Sequence, residues 1–324
     1  MRRLAWAALV LLLSGPAAAA GLIAEQRSLL LEQQRLSREA TLARMQQIRF
    51  AFREMPAPGQ RWALWSRGYG LRGEHAGDSA VDDLTLRSEG WQLGLDRPLG
   101  GQWMGGLLVG GEHSRAEADG GSHLNTRSDY LGLYATTRIY HQLGLRLGLL
   151  HAWQRLQAEG VDARLHGRAR SLQLFGEASY AMDFRTFTVE PFAGLSLQRS
   201  DFASSRVDGA QPLWLGGAVE SGSRLELGWR LMRPWTLGDS RLVGRASLAL
   251  RQRLDDDRLS VSGRNAAGAE QRLQARAGES RSLRLDLGLD RELGRGRYLG
   301  LGYSAHLARG EREHLLAARL SLRF

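Results

Sequence analysis

The sequence predicts an all-β fold: a twelve-stranded antiparallel transmembrane β-barrel with an N-terminal α-helix in or near its lumen. Three observations predict it. The stretch LAARLSLRF puts Leu316, Ala318, Leu320, Leu322 and Phe324 on one side of an extended strand, and Ala317, Arg319, Ser321 and Arg323 on the other. The two segments before it repeat the alternation. Leu299, Leu301, Tyr303, Ala305 and Leu307 oppose Gly300, Gly302, Ser304 and His306, while Leu283, Leu285, Leu287 and Leu289 oppose Arg284, Asp286, Gly288 and Asp290. A closed barrel in a bilayer turns the greasy face to lipid and the polar face to a wet lumen, and closure satisfies every backbone group. The third observation is that the connections alternate between long and short, which sorts them onto opposite ends.

Residues 1–20 read as a secretory signal peptide. Arg2 and Arg3 precede an apolar run from Leu4 to Leu13, and Ala18 and Ala20 occupy the small-residue positions ahead of a cut before Gly21. That run is too short for a spanning helix, so membrane embedding falls to strands. Residues 21–58 form a helical segment and linker. Leu22 to Glu54 contains no Gly or Pro, and a seven-residue spacing joins Leu22, Leu29, Leu36, Ala43 and Phe50 before Pro56 and Pro58 end it. The leucine spacing suits a periplasmic coiled-coil stub. It also suits a helix in the lumen, where Arg27, Arg35, Arg38, Arg44, Arg49 and Arg53 meet inward carboxylates. Residues 59–324 are the barrel, with strands expected near 62–70, 84–97, 103–115, 126–138, 143–156, 168–181, 187–199, 222–233, 241–254, 281–293, 297–309 and 313–324. The connections about 200–221 and 255–280 are expected to be the main external surface.

Composition bounds the function. The chain has 324 residues, enough for one large domain, and no Cys, which excludes disulfides and thiolate chemistry. All 44 basic residues are arginine and the net charge is +10. The arginines are scattered along strands, so nucleic-acid binding is not expected; an anionic membrane surface suits the charge equally well.

The region from Trp62 onward resembles the translocator domain of the autotransporters, the type V secretion proteins of Gram-negative bacteria. The matching stretches are WSRGYG (Trp65 to Gly70), GWQLGLD (Gly90 to Asp96), VEPFAGLSLQRSDF (Val189 to Phe202), SRLELGWRL (Ser223 to Leu231), LRLDLGLDREL (Leu283 to Leu293) and the closing LSLRF. The resemblance implies an outer-membrane location, a helix inside the pore, and insertion by the barrel-assembly machinery and periplasmic chaperones. Phe324, Leu322 and Leu320 would be the assembly signal. Outer-membrane lipid and lipopolysaccharide are the implied surroundings, with a monomer as the working unit. About forty residues lie between signal peptide and barrel, without passenger repeats, so the expected activity is export of a very short N-terminal segment or that of an orphan barrel lacking its passenger. The helix lacks the asparagine used by self-cutting members; Asn125 and Asn265 lie elsewhere. The alternative is a structural or pore-forming outer-membrane barrel plugged by its N-terminal helix.

Inward charges are the candidate working parts. Arg224, Glu226, Arg230, Arg284, Asp286 and Asp290 are expected to pair in the lumen, with each other or with the helix. No enzyme, metal or cofactor is expected. The carboxylates and histidine of the external rim (His75, Asp82, Asp83 and Asp255 to Asp257) show no catalytic spacing, and Ser304 with His306 reads as polar lining.

Overall fold

The computed structural model describes residue 27, residues 29–48 and residues 62–324, apart from 78–82, 101, 120, 141, 161–162, 210–211, 239, 256–258, 276–279 and 295. The expected signal peptide, the linker over 49–61 with Arg49 and Arg53, and Asp82, Asp256 and Asp257 lie outside those residues. The wall consists of twelve long strands: β1 (Ala63–His75), β2 (Leu84–Gly100), β3 (Trp103–Ala118), β4 (His123–Ile139), β5 (Leu143–Gly160), β6 (Ala163–Tyr180), β7 (Thr188–Phe202), β8 (Ala218–Leu237), β9 (Ser240–Arg253), β10 (Arg281–Gly294), β11 (Arg297–Ala308) and β12 (Glu311–Arg323). Each pairs antiparallel with its chain neighbour. β1 also pairs with β12, from Ala63↔Arg323 to His75↔Glu311, so the sheet closes and no edge remains at the seam. Trp62 and Phe324 extend the seam, each backbone N–H donating to the other's carbonyl at 3.1 Å.

Burial follows the strand period. On β5, Leu143, Leu147, Leu149 and Trp153 face outward, while Arg146, Leu150, Ala152 and Gln154 are buried. From Leu143 to Trp153 is about 33 Å along the strand and about 25 Å along the barrel axis at a tilt near 40°, the height of an outer-membrane apolar belt. The outward leucines are exposed because lipid is their solvent.

The strands are longer than expected at the end that carries the long connections. β1 was expected to stop at 70 and runs to His75; β6 begins at Ala163 instead of 168. Beyond the lipid the outward face turns polar while inward positions such as Leu71, Leu86, Leu124 and Leu165 are apolar, so the lipid-facing pattern inverts while the hydrogen-bond ladder continues. The expected surface loops about 200–221 and 255–280 likewise contain strands, Ser205–Gly209, Leu213–Leu215, Leu259–Asn265 and Glu270–Ala275. Ser205–Gly209 pairs with the outer end of β6 and Leu213–Leu215 with Leu259–Asn265, which raises one side of the wall above the membrane. The opposite end has compact turns, and β2 and β10 finish there in bulges at Gly100 and Gly294, both at positive φ that only glycine adopts without strain.

Inside the lumen, aromatic side chains lie flat over cross-strand glycines. Trp65 faces Gly94 and Phe175 faces Gly148 in register, and a Cβ at either glycine would fall inside the ring's van der Waals contact. Gly148→Val is therefore expected to lower barrel stability by about 1–3 kcal/mol. The midpoint temperature of the gel-mobility shift on heating is the measurement; an unchanged midpoint would contradict the packing.

Candidate functional site

A helix covers residues 29–48, about 30 Å long, and lies inside the barrel. None of its described side chains is exposed, which rules out the coiled-coil stub. The reason is that the helix is apolar in two places and charged between them. Near its start, Leu29 and Leu36 pack against Leu71, Leu86, Leu124 and Leu215 at the long-connection end. Near its finish, Leu42, Met45 and Ile48 pack against Trp65, Leu108 and Phe175 toward the short-turn end.

These contacts fix the helix direction. Arg27 donates to the Gly216 carbonyl at 3.4 Å and sits 4.8 Å over the Phe202 ring, both at the long-connection end. Arg44 donates through Nε to Asp96 at 2.9 Å and through Nη1 to Ser321 Oγ at 3.1 Å, close to where β1 begins and β12 ends. The chain therefore descends through the lumen from the long-connection end, and the wall starts where it emerges.

Between the apolar ends, helix charges meet wall charges. Glu32 pairs with Arg224 and with Arg253 at 3.1 Å, Arg35 pairs with Glu313, and Glu39 pairs with Arg251. Glu226 bridges Arg251 at 2.9 Å and Arg284 at 3.0 Å; Arg284 also reaches Asp286 at 2.8 Å and lies 4.0 Å from Glu39. A second cluster belongs to the wall alone. Arg146 and Arg230 share Glu177, and Glu190 lies 2.9 Å from Arg146 and 3.6 Å from Arg230. Asp290 sits between Arg245 and Arg319, 2.8 Å from each. Of the six luminal charges singled out from sequence, Arg224 pairs with a helix side chain and Arg284 comes within reach of one. Glu226, Arg230, Asp286 and Asp290 pair within the wall.

Sequence reasoning gave the helix arginines a role and overlooked its glutamates. Glu32 and Glu39, seven residues apart, each reach two wall arginines, Glu32 meeting Arg224 and Arg253 and Glu39 meeting Arg251 and Arg284. Arg251, Arg253 and Asp96 were overlooked as well, although their parity was readable: Asp96 shares a face with Gln92 and Gly94 opposite Trp91, Leu93 and Leu95. Among the described residues Arg38 meets no carboxylate in hydrogen-bond range; it donates to Gln173 at 3.4 Å.

Of the rim residues, His75 is no loop residue. It is buried at the end of β1, 3.2 Å from Glu313. Asp83 accepts the Gly77 N–H at 2.5 Å, and Asp255 accepts the Ser223 hydroxyl at 2.7 Å. Ser304 donates to Asp286 at 2.7 Å, while His306 faces Glu313 at 3.7 Å, so the two do not act on each other. On the outside, Leu320 and Phe324 are exposed and Leu322 half-buried along the β1–β12 seam.

A closed lipid-facing wall threaded by its own N-terminal helix defines an outer-membrane barrel of the secretion type. Residues 64–304 match the family model described as the autotransporter beta-domain, and the chain belongs to that family: it is an autotransporter translocator barrel of the outer membrane. It is 25% identical over 276 residues to an extracellular serine protease of Serratia marcescens, a match that takes in 80% of this chain and 26% of that protein. The chain thus spans about a quarter of that relative's length. Among solved structures, the translocator domain of the autotransporter NalP from Neisseria meningitidis superposes with a TM-score of 0.68 at 16% identity, covering 89% of this chain and 98% of that one. The beta domain of the Bordetella autotransporter BrkA gives 0.59 at 18% identity over 82% and 100% of the two chains. The transport unit of AIDA-I from Escherichia coli gives 0.58 at 12% over 87% and 96%. At these identities the structures speak for the fold.

Removing one partner from a buried ion pair strands the other. Arg44→Met is expected to destabilise the barrel by about 3–5 kcal/mol, and Arg44→Met with Asp96→Leu to recover most of the loss. Denaturant unfolding in detergent measures both. Equal stability of Arg44→Met and the native chain would mean that the pair does not hold the helix.

Proposed function

We propose that this barrel carries the segment ahead of its luminal helix to the cell surface, acting as a non-enzymatic conduit and anchor. What supports the reading is the helix direction. Residue 29 stands at the long-connection end and residue 48 at the short-turn end, so a chain preceding the helix leaves the barrel on the side of the long connections. In the outer membrane the long connections face outward and the short turns face the periplasm. Barrel-assembly machinery and periplasmic chaperones would act on β12 with its Leu320, Leu322 and Phe324, and outer-membrane lipid with lipopolysaccharide would surround a monomer. The signal peptide would deliver the chain to them.

An epitope placed after Ala24 tests the reading. Labelling on intact cells is expected; labelling only after the outer membrane is breached would overturn export and leave the helix as a plug.

The lumen also makes a quantitative demand. Deleting 24–55 removes the side chains that fill it and uncovers Arg224, Arg251 and Glu313. Single-channel conductance in planar bilayers is expected to rise sharply. Unchanged conductance would contradict a lumen closed by this helix.

A further inference from the structure

Six consecutive strands contribute an exposed outward arginine to one row near the long-connection end: Arg72 on β1, Arg87 on β2, Arg115 on β3, Arg127 on β4, Arg155 on β5 and Arg168 on β6, with Arg164 and Arg170 also outward on β6. In the antiparallel registers they face one another. Arg72 is the partner of Arg87, Arg87 of Arg115, Arg127 of Arg155, and Arg155 of Arg168. The row slips by two residues between β3 and β4, where His113 faces Arg127 and Asn125 faces Arg115. Directly opposed side chains of like charge repel across about 5 Å and cost sheet stability. Four such pairs in one row are a standing electrostatic conflict.

Outward acids share these strands: Glu74, Glu89, Glu117 and Asp129 each stand two residues from an arginine of the row. Among the described residues it is Asp129 that comes into ion-pair range, 3.8 Å from Arg155, with both side chains more than half exposed. Among the described residues, Arg72, Arg87, Arg127 and Arg168 make no ion pair. In the lumen, by contrast, Arg146 of β5 is matched to Glu177 and to Glu190.

The row sits at a definite height. Trp153 lies two residues below Arg155, Trp91 four below Arg87, Leu131 four below Arg127 and Leu172 four below Arg168, all outward and exposed. The row therefore stands just above the apolar belt, with Glu89, Asp129 and Arg170 as the outward residues between them on β2, β4 and β6, at the headgroup level of the outer leaflet. Across six strands the row extends about 24 Å around the wall, enough for more than one headgroup. Guanidinium forks take phosphate oxygens bidentately, and an anion between two opposed arginines turns their repulsion into shared attraction.

We propose that the β1–β6 face is a docking surface for phosphorylated lipid headgroups of the outer leaflet, with the paired arginines as phosphate ligands. The proposal rests on the outer-membrane reading and adds a place and residues to it. Lipid phosphate, in place of carboxylate, neutralises this side of the wall.

The test uses the full chain folded in zwitterionic detergent micelles, with the unfolding midpoint read by gel mobility on heating. Lipopolysaccharide is expected to raise the midpoint by several degrees, as ligand binding to the folded state requires, while phosphatidylcholine and inorganic phosphate leave it in place. The triple variant Arg87→Gln, Arg127→Gln, Arg155→Gln is expected to start at or above the native midpoint, because repulsion is relieved, and to lose most of the lipopolysaccharide shift. Arg281→Gln, exposed on β10 outside the row, keeps the full shift. An equal shift in the triple variant, an equal shift with inorganic phosphate, or no shift in the native chain would each overturn the site. Outer-membrane residence is read separately, from the cell fraction that holds the heat-modifiable band. A folded barrel in the outer-membrane fraction without the shift therefore sinks the site and leaves the location standing.

Discussion

The pairing of β1 with β12 is the constraint on which the rest depends. A strand in hydrocarbon has no water to complete its ladder, so an unclosed edge would leave backbone groups unsatisfied at several kilocalories each. The 13 residues of β1, matched one for one from Ala63↔Arg323 to His75↔Glu311, remove that edge. Once the wall is closed, strand periodicity allots every second residue to an enclosed lumen. Those residues can be neither all apolar, since the lumen starts wet, nor unpaired charges, since the helix then seals it. Arginine and carboxylate in matched groups follow from closure, as do the aromatic rings laid over Gly94 and Gly148 where the wall curves tightly.

The helix completes the matching. Glu32, Arg35, Glu39 and Arg44 recur at intervals of three to five residues and therefore run down the helix surface in contact with the wall. Each meets charge of opposite sign. A helix shifted by one residue would turn these side chains by about 100° and set Glu39 away from Arg251. Buried pairs of this kind add little net stability over apolar packing, but they penalise every wrong register heavily. Apolar clusters at the two ends hold the helix in the lumen, and the charges between them set its rotation and depth.

The wall was legible in the sequence because lipid demands strict alternation: β5, β8, β10, β11 and β12 can be read residue by residue. Legibility fails where that demand stops. Above the lipid the outward positions of β1 and β6 no longer need to be apolar, so Arg72, Glu74 and His75 read as a loop although the ladder runs through them. The strands inside 200–221 and 255–280 are hidden for the same reason. The luminal pairs are half legible. Parity tells that Arg224, Glu226, Arg230, Arg284, Asp286 and Asp290 point inward, but which partner each takes depends on the height and rotation of the helix. No local pattern encodes those. Arg251, Arg253 and Asp96 were available by parity, and Glu32 and Glu39 only by knowing that the helix is surrounded.

Two populations of arginine thus divide one protein that contains no lysine. Inside, Arg146, Arg230, Arg284 and Arg319 each reach at least one carboxylate, and Glu177 and Asp290 each serve two guanidinium groups. The geometry is dense, fixed and internal. Outside, the arginines of β1 to β6 stand in register against one another, and of the outward acids Glu74, Glu89, Glu117 and Asp129 it is Asp129 that comes into ion-pair range. The same side chain is therefore used in opposite ways, and the difference lies in where counter-charge comes from. A lumen occupied by one helix must carry its carboxylates with it, since nothing else enters. An outer wall at the headgroup level is surrounded by its counter-charge and has no need to encode it. An arginine row that faces itself in register, with a single ion pair among the described residues, and that stands just above the apolar belt is what a wall solvated by anionic lipid can retain, and what a wall facing water alone would be expected to lose to its own repulsion.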